Sequence, residues 1–403
     1  MNHRTRVVTV AAVLGALVAL IVPGNAIGRT GSIVDLRQAQ YIVQVDPHAG
    51  DLPNVLNQVL ASLGGRVDKT YSQAINGALV SLPLASVTSL LAVPGVMSVE
   101  SNAIAHINSN QNSPGWGLDR IDQRGSSLNR KYQYTSTGRG VRAYIIDTGI
   151  FVGHADFGGR AQSGFDAVDG GPADDCNGHG THVAGTVGGK TYGVAKEVSL
   201  VAVRVLDCDG EGTVDQILSG IEWVIRTQKA TKGPAVANLS FGTGGTSSAM
   251  DTAVRNLIKN GVTVSVAAGN DSADACSTSP GRVAEVLTVA ATDSKDAMAS
   301  FSDGGTCVDL FAPGVDVTSA WSGGASAKNT LSGTSMAAPH VTGAVARYLQ
   351  KHPSASPDAV ASALSKAATT GVVTGTSGRC ALLILLCQPA TPNPKLLYID
   401  RLS

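Results

Sequence analysis

The chain has 403 residues, with 30 Lys and Arg against 30 Asp and Glu, a formal net charge of zero and only 15% charged residues. That balance argues against the basic footprint of a nucleic-acid-binding protein, and the length allows two or three domains with a sizeable core. Its 47 glycines and 4% aromatic content fit a tightly turned globular chain and go no further.

Residues 1–26 read as a secretory signal, with His3, Arg4 and Arg6 at a basic end, an apolar run from Val7 to Val22, and Gly24-Asn25-Ala26 as a small-residue cleavage site. The run is short for a membrane span and no later stretch reaches that length, so the expected product is exported and has no membrane attachment. The segment 27–108 carries a unit of its own from residue 40 onward. Gln40 to Val45 alternates like a strand, and Leu52, Val55, Leu56, Val59, Leu60 and Leu63 recur at helical spacing until Gly64-Gly65 stops the helix. Strand-like Gly77 to Leu82, a short helix with Val87, Leu90 and Leu91, and strand-like Gly95 to Val99 complete a small α+β, ferredoxin-like split β-α-β pattern.

Hard oxygen donors then gather at Asp119, Asp122, Gln123 and Asn129, which by composition is a solvated polar turn as readily as a cation site. From Val141 on, apolar strand-like runs alternate with helical ones: Val141 to Ile146, the helix after His179, Ser199 to Leu206, Val214 to Lys229, Ala235 to Phe241, Ala249 to Lys259 and Val262 to Ala268. The alternation predicts an α/β domain over 109–403 with a doubly wound, mostly parallel sheet.

Three motifs interrupt this scaffold. The run Val141 to Ile146 ends on Asp147-Thr148-Gly149, at the strand end where a parallel sheet gathers its ligands. Asn177-Gly178-His179-Gly180 sets an uncrowded imidazole between glycines at a helix head. Gly333-Thr334-Ser335-Met336-Ala337-Ala338-Pro339 places a hydroxyl at the start of another helix, where its own N–H is free and the dipole favours negative charge. The chain order Asp147, His179, Ser335 is the subtilisin order of the acid, base and nucleophile triad. On these motifs the chain resembles the subtilisin-like serine proteases, and among them the proteinase K group with its aqualysin-like bacterial members.

The resemblance implies a secreted serine endopeptidase acting on polypeptides as a monomer. Asn270, after the strand Val262 to Ala268, would donate to the oxyanion beside Ser335. Gly210, Glu211 and Gly212 would form one edge of a cleft that takes an extended peptide, with Ser240, Phe241 and Gly242 as the other. The side-chain pocket would lie between Ser240 to Gly242 and Ala267, Ala268 and Gly269. Those walls hold no carboxylate, so cleavage is expected after apolar or aromatic residues, with Glu211 adding a mild taste for basic residues upstream. Segment 27–108 would be the propeptide, an intramolecular inhibitor and folding aid cut close to Asn108. Calcium is implied at one or two structural sites: Asp119, Asp122, Gln123 and Asn129, then Asp309 with the carbonyls of Ala284 and Val286.

Six cysteines allow 15 pairings, and no C-x-x-C argues against zinc. The resemblance implies Cys176 with Cys208 and Cys276 with Cys307, leaving Cys380 with Cys387 around an apolar loop. A catalytically silent protease-like binding protein is the alternative class, and an intact triad speaks against it. An exported lipase or esterase would need G-x-S-x-G and the order Ser, acid, His, which this chain lacks.

Overall fold

The computed structural model describes residues 38–46, 48, 52–71, 77–101, 109–380 and 387–400. The expected signal segment 1–26, the tail Ala103 to Asn108 and the loop Ala381 to Leu386 lie outside the described residues. Two compact units result, Met1–Ala105 and His106–Ser403.

The first unit runs β1 Gln38–Val45, α1 Leu52–Ser62, β2 Arg66–Tyr71, β3 Gly77–Pro83, α2 Val87–Leu91 and β4 Val96–Ser101. Its strands pair antiparallel in the order β2-β3-β1-β4, the split β-α-β topology. Gly64, at φ +75, and Gly65, whose N–H bonds Leu60 O at 2.7 Å, end α1. Val43, Val80 and Leu82 of the sheet bury against Leu56, Leu60 and Leu90 of the helices. Strand β2 has no counterpart in the sequence reading, because Arg66, Asp68 and Lys69 make it polar, as an edge strand can be.

The second unit begins with β5 Ser109–Asn112, α3 Trp116–Ile121 and β6 Lys131–Tyr134, β5 pairing with β6. It continues through β7 Arg142–Asp147, β8 Ala161–Asp166, α4 His179–Gly188, β9 Ser199–Arg204, α5 Val214–Thr231, β10 Ala235–Leu239, α6 Ser248–Lys259, β11 Val262–Ala267, β12 Leu287–Thr292 and β13 Leu310–Pro313. The hairpin β14 Val317–Ala320 and β15 Lys328–Leu331 leads to α7 Thr334–Lys351 and α8 Pro357–Ala367. Short strands finish it: β16 Thr369–Thr370, β17 Arg379–Cys380, β18 Cys387–Gln388 and β19 Lys395–Leu396.

Nine strands form one sheet, ordered β16-β19-β13-β12-β11-β10-β7-β9-β8 and parallel except at the β16–β19 edge. Side chains of β7 alternate between two buried layers: Ala143 and Ile145 join the layer with Val183 of α4 and Val341 of α7, while Tyr144 and Ile146 join Ile221 of α5 and Val254 of α6. Burial on both faces is why the central strands read as unbroken apolar runs. At the mouth of α5, Thr213 and Gln216 form a reciprocal capping box that fixes where the helix starts.

Candidate active site

Three neighbouring strands, β7, β10 and β11, end side by side, with Ile146 opposite Leu239 and Leu239 opposite Val266. Asp147, Ser240 and the segment Ala268 to Asn270 therefore leave the sheet together at its carboxyl edge. Asp147 is fully buried; its Oδ1 accepts from Thr148 N–H and from His179 Nδ1, each at 2.8 Å, and its Oδ2 has no partner.

His179 opens α4 with a quarter of its side chain exposed. Two close approaches explain the glycines around it. A Cβ on Gly178 would stand 2.4 Å from the Trp321 ring, and one on Gly180 would stand 2.2 Å from Gly149 O. Burial pushes the imidazole down, but the Asp147 charge and hydrogen bond outweigh it, and Asp175 adds to them, so His179 titrates above its ordinary 6.5. His182, one turn along, is fully buried, bonds Val317 O at 3.0 Å through Nε2, and is pushed down to about 4 chiefly by burial.

Asp175 is a member of this site that the sequence reading missed. Its Oδ1 accepts from Thr148 Oγ1 and Gly178 N–H at 2.8 Å and from Asn177 N–H at 3.1 Å, and its Oδ2 accepts from Thr181 N–H at 2.8 Å. One buried carboxylate so anchors the first turn of α4, and Thr148 Oγ1 completes the link by accepting from Gly180 N–H at 2.9 Å. Its only sequence signal was an acid four residues before His179.

Ser335 lies in the first turn of α7. Its Oγ donates to Ser240 O at 2.8 Å, and among the described residues no hydrogen bond joins it to His179. Pro339, having no N–H, leaves the Ser335 carbonyl without its helical partner, and Ser240 Oγ donates to it instead at 2.9 Å. Asn238 Nδ2 in turn donates to Ser240 Oγ at 2.8 Å.

Asn270 turns its Oδ1 to Thr334, accepting from the backbone N–H at 2.8 Å and from Oγ1 at 3.0 Å. Its Nδ2 is thereby directed away. The point where a Gly333 Cβ would sit lies 3.6 Å from Ser335 N and 3.7 Å from Asn270 Nδ2, so the two nitrogens lie close to one small space.

The two expected edges differ in construction. Gly210, Glu211 and Gly212 lie on a turn built around Asp207, whose N–H bonds Glu211 O at 2.8 Å while its Oδ1 accepts from Glu211 N–H at 3.0 Å. Ser240 is buried, Phe241 is half-buried against the α5–α6 layer, and Gly242 is exposed. Ala267 and Ala268 are buried, and Gly269 is half-buried at φ +119. Disulfides join Cys176 to Cys208 and Cys276 to Cys307. The first staples the loop before His179 to the Asp207 turn, where Asn177 Nδ2 also bonds Cys208 O at 2.8 Å. Cys380 stands opposite Cys387 in the β17–β18 pair, and their side chains lie outside the described residues.

Among the described residues no three His, Cys, Asp or Glu side chains form a metal cage. Calcium also accepts amide and carbonyl oxygens, so the fit rests on smaller signs. Asp122 is buried, one of its oxygens has no partner, and burial together with nearby Asp119 pushes its carboxyl up to about 6, although Gln133 N–H donates to its other oxygen at 2.6 Å. A cation there would satisfy the orphan oxygen. Asp119 accepts from Asn129 N–H at 3.1 Å and Arg130 N–H at 2.7 Å, which folds the Asn129 loop onto the same helix end. Gln123 Nε2 donates to Ser127 O at 2.8 Å and Asn129 Oδ1 accepts from Lys131 N–H at 2.9 Å. Asp309 is a poorer fit: its Oδ2 accepts from Thr288 N–H at 2.9 Å, its cleft also holds Lys395, and Ala284 and Val286 do not line that cleft.

Residues 138–381 match the model of the subtilase family. An extracellular serine proteinase of Thermus sp. (strain Rt41A) is 54% identical over 327 residues, spanning 81% of this chain and 78% of that one. Alkaline serine exoprotease A of Vibrio alginolyticus is 47% identical over 78% of this chain and 59% of its own length. The crystal structure of a cold adapted subtilisin-like serine proteinase superposes with a TM-score of 0.66, at 48% identity, over 72% of this chain and 99% of that one. The chain belongs to the subtilase family and is an extracellular serine endopeptidase.

Proposed function

We infer that Ser335 is the nucleophile, His179 its general base and then general acid, and Asp147 the group that holds and stabilises the imidazole. The observation that carries this reading is the 2.8 Å bond between His179 Nδ1 and the buried Asp147 carboxylate. A carboxylate only accepts, so Nδ1 bears the hydrogen and the Nε2 lone pair is left to take the serine proton. Ser335 Oγ first exchanges the Ser240 carbonyl for that nitrogen by rotating about χ1 between staggered wells. It then attacks the peptide carbonyl while His179 takes its proton. The oxyanion accepts from Asn270 Nδ2 and Ser335 N–H. As the C–N bond breaks, His179 returns the proton to the leaving amine, and water repeats the sequence on the acyl-enzyme.

The substrate lies extended between Gly210 to Gly212 and Ser240 to Gly242, and its side chain enters between Ser240 to Gly242 and Ala267 to Gly269. The uncharged walls favour apolar or aromatic residues, with Glu211 drawing basic residues upstream. Residues 27–108 act as a propeptide, inhibiting the enzyme until it cuts close to Asn108, after the signal 1–26 has been removed. Calcium at Asp119, Asp122, Gln123 and Asn129 would neutralise buried charge and brace the start of the catalytic unit. Support for the Asp309, Ala284 and Val286 site is narrower, since it rests on one carboxylate.

The test compares the secreted wild type with Ser335→Ala by mass, N-terminal sequencing and a fluorophosphonate probe. A shortened, labelled wild type beside a full-length, unlabelled variant upholds the reading. If both stay long and unlabelled, the silent binding-protein alternative replaces it. A peptide-library profile dominated by Lys or Arg at the cleaved bond would remove the apolar-pocket part alone.

A further inference from the structure

Asn270 can serve an oxyanion only if its amide is aimed, and Thr334 fixes only the far end of the side chain. The direction of the side chain depends on the φ and ψ of Asn270, which are set by the peptide planes before and after it. Both planes are held by one residue of another loop. Asp303 N–H donates to Gly269 O at 2.9 Å, pinning the plane before Asn270. Asp303 Oδ1 accepts from Asp271 N–H at 2.9 Å, pinning the plane after it, and from Ala273 N–H at 2.8 Å. We propose that Asp303 is a positioning residue for the oxyanion site, clamping Asn270 through the peptide groups on either side of it.

The surroundings agree with that role. Asp303 is fully buried between β12 and β13, yet its Oδ2 has no partner and stands 2.1 Å from where a Gly269 Cβ would be. Gly269 is thus required by the carboxylate as well as by its own φ of +119. Burial first, and then the charges of Asp271 and Asp274, push the Asp303 carboxyl upward against the two N–H groups that favour its charge. A short ladder extends the clamp, with Ser272 N–H to Phe301 O at 2.9 Å and Gly304 N–H to Ala273 O at 3.0 Å. That ladder is made of main-chain groups, which substitution of the Asp303 side chain does not remove.

The inference rests on Asn270 being the oxyanion donor, and its test separates the two ideas. Asp303→Ala and Asp303→Asn are made alone and in the Asn270→Ala background. Hydrolysis of a peptide anilide is measured on mature enzyme titrated with a sulfonyl fluoride, together with melting temperature. An aim lost by about 1 Å costs up to roughly a hundredfold, so Asp303→Ala should lower kcat by about tenfold to a hundredfold with KM little changed. Asp303→Asn, which keeps the Oδ1 acceptor, should recover most of that loss. In the Asn270→Ala background Asp303→Ala should lower kcat by less than about twofold, because there is no longer a donor to aim. An equal loss in both backgrounds, a loss confined to melting temperature, or an Asn variant as poor as Ala overturns the proposal. If Asn270→Ala itself keeps full kcat, the oxyanion reading falls first and the clamp with it. Where Asp303→Ala does not accumulate, Asp303→Ser, too short to reach the Asp271 N–H, replaces it in every arm.

Discussion

Replacing Asp147 by Asn tests the triad at the group that touches neither substrate nor leaving group. On the proposed mechanism, Ser335 attack turns His179 into a cation whose Nδ1 lies 2.8 Å from Asp147 Oδ1. With an effective dielectric constant near 20 and charge centres about 3 to 4 Å apart, the attraction is about 4–6 kcal/mol. At 1.36 kcal/mol per tenfold, losing it slows acylation roughly a thousandfold to ten-thousandfold. Loss of the acid in subtilisin itself costs roughly 30,000-fold, which serves as a family figure rather than an independent derivation. The pH profile gives the sharper readout. Burial lowers the His179 imidazole, and the Asp147 charge and hydrogen bond raise it past that loss to a net value above 6.5. Only neutral His179 accepts the serine proton, so wild-type kcat/KM rises with pH through that raised value. In Asp147→Asn the charge, the largest upward cause, is gone and the hydrogen bond loses its charge assistance, so burial gains weight and the residual activity should rise at a lower pH than in the wild type. The assay is kcat/KM on a chromogenic peptide anilide across that range, per mole of chain of confirmed mass. A loss under about tenfold, or an acid limb that stays in place or moves upward, refutes the argument.

Three further outcomes follow from other parts of the molecule. Chelation should lower the melting temperature of the wild type, and Asp122→Asn should reduce that shift while leaving the active-site probe reactive; a melting temperature indifferent to chelator counts against both calcium proposals. Replacing Cys176 and Cys208 by Ser opens a link spanning 32 residues of chain, a loss of about 4 kcal/mol on the chain-entropy account, seen as faster thermal inactivation with a raised KM. His182 and His340 are buried and pushed down to about 4, burial being the main cause in each. Because their folded values lie below the ordinary 6.5, the stability they confer is complete above 6.5 and is lost as pH falls through about 4, by about 3 kcal/mol each. Urea unfolding of sulfonyl-inhibited enzyme should show that slope, and a flat response between those values would contradict it.

The sequence disclosed the central strands because both faces of β7, β9, β10 and β11 are covered, which leaves an apolar run no turn could imitate. It did not disclose β2, whose Arg66, Asp68 and Lys69 look like a loop, or β16 and β19, two residues each, which exist as strands only through their pairing. The Ser335 rotamer was equally hidden, since a hydroxyl choosing Ser240 O over an imidazole depends on a torsion and not on residue identity. The same holds at the candidate calcium site, where spacing brings Asp119 and Asp122 to one helix end while Gln123 turns its amide to Ser127.

What separates the legible residues from the hidden ones is whether the contact they make restricts the residue type. His179 stands out because Gly178 and Gly180 flank it, and each is glycine because another group stands within 2.4 Å of where its Cβ would be. The demand excludes every side chain, so it leaves its mark in the residue type. Asp175, Thr334 and Asp303 act on the same chemistry through hydrogen bonds that several residue types can make: Asp175 on the first turn of α4, Thr334 on the Asn270 amide, Asp303 on the peptide planes around it. An acid before a cysteine, a threonine before a serine and an acid before two glycines carry no such mark, because the same residue types cap turns throughout soluble proteins. The only trace of Asp303 is indirect, in Gly269, a glycine made necessary by a carboxylate that lies 34 residues further along. Glycines with positive φ whose missing Cβ would strike a side chain far away in sequence are therefore where a hidden positioning residue first becomes visible.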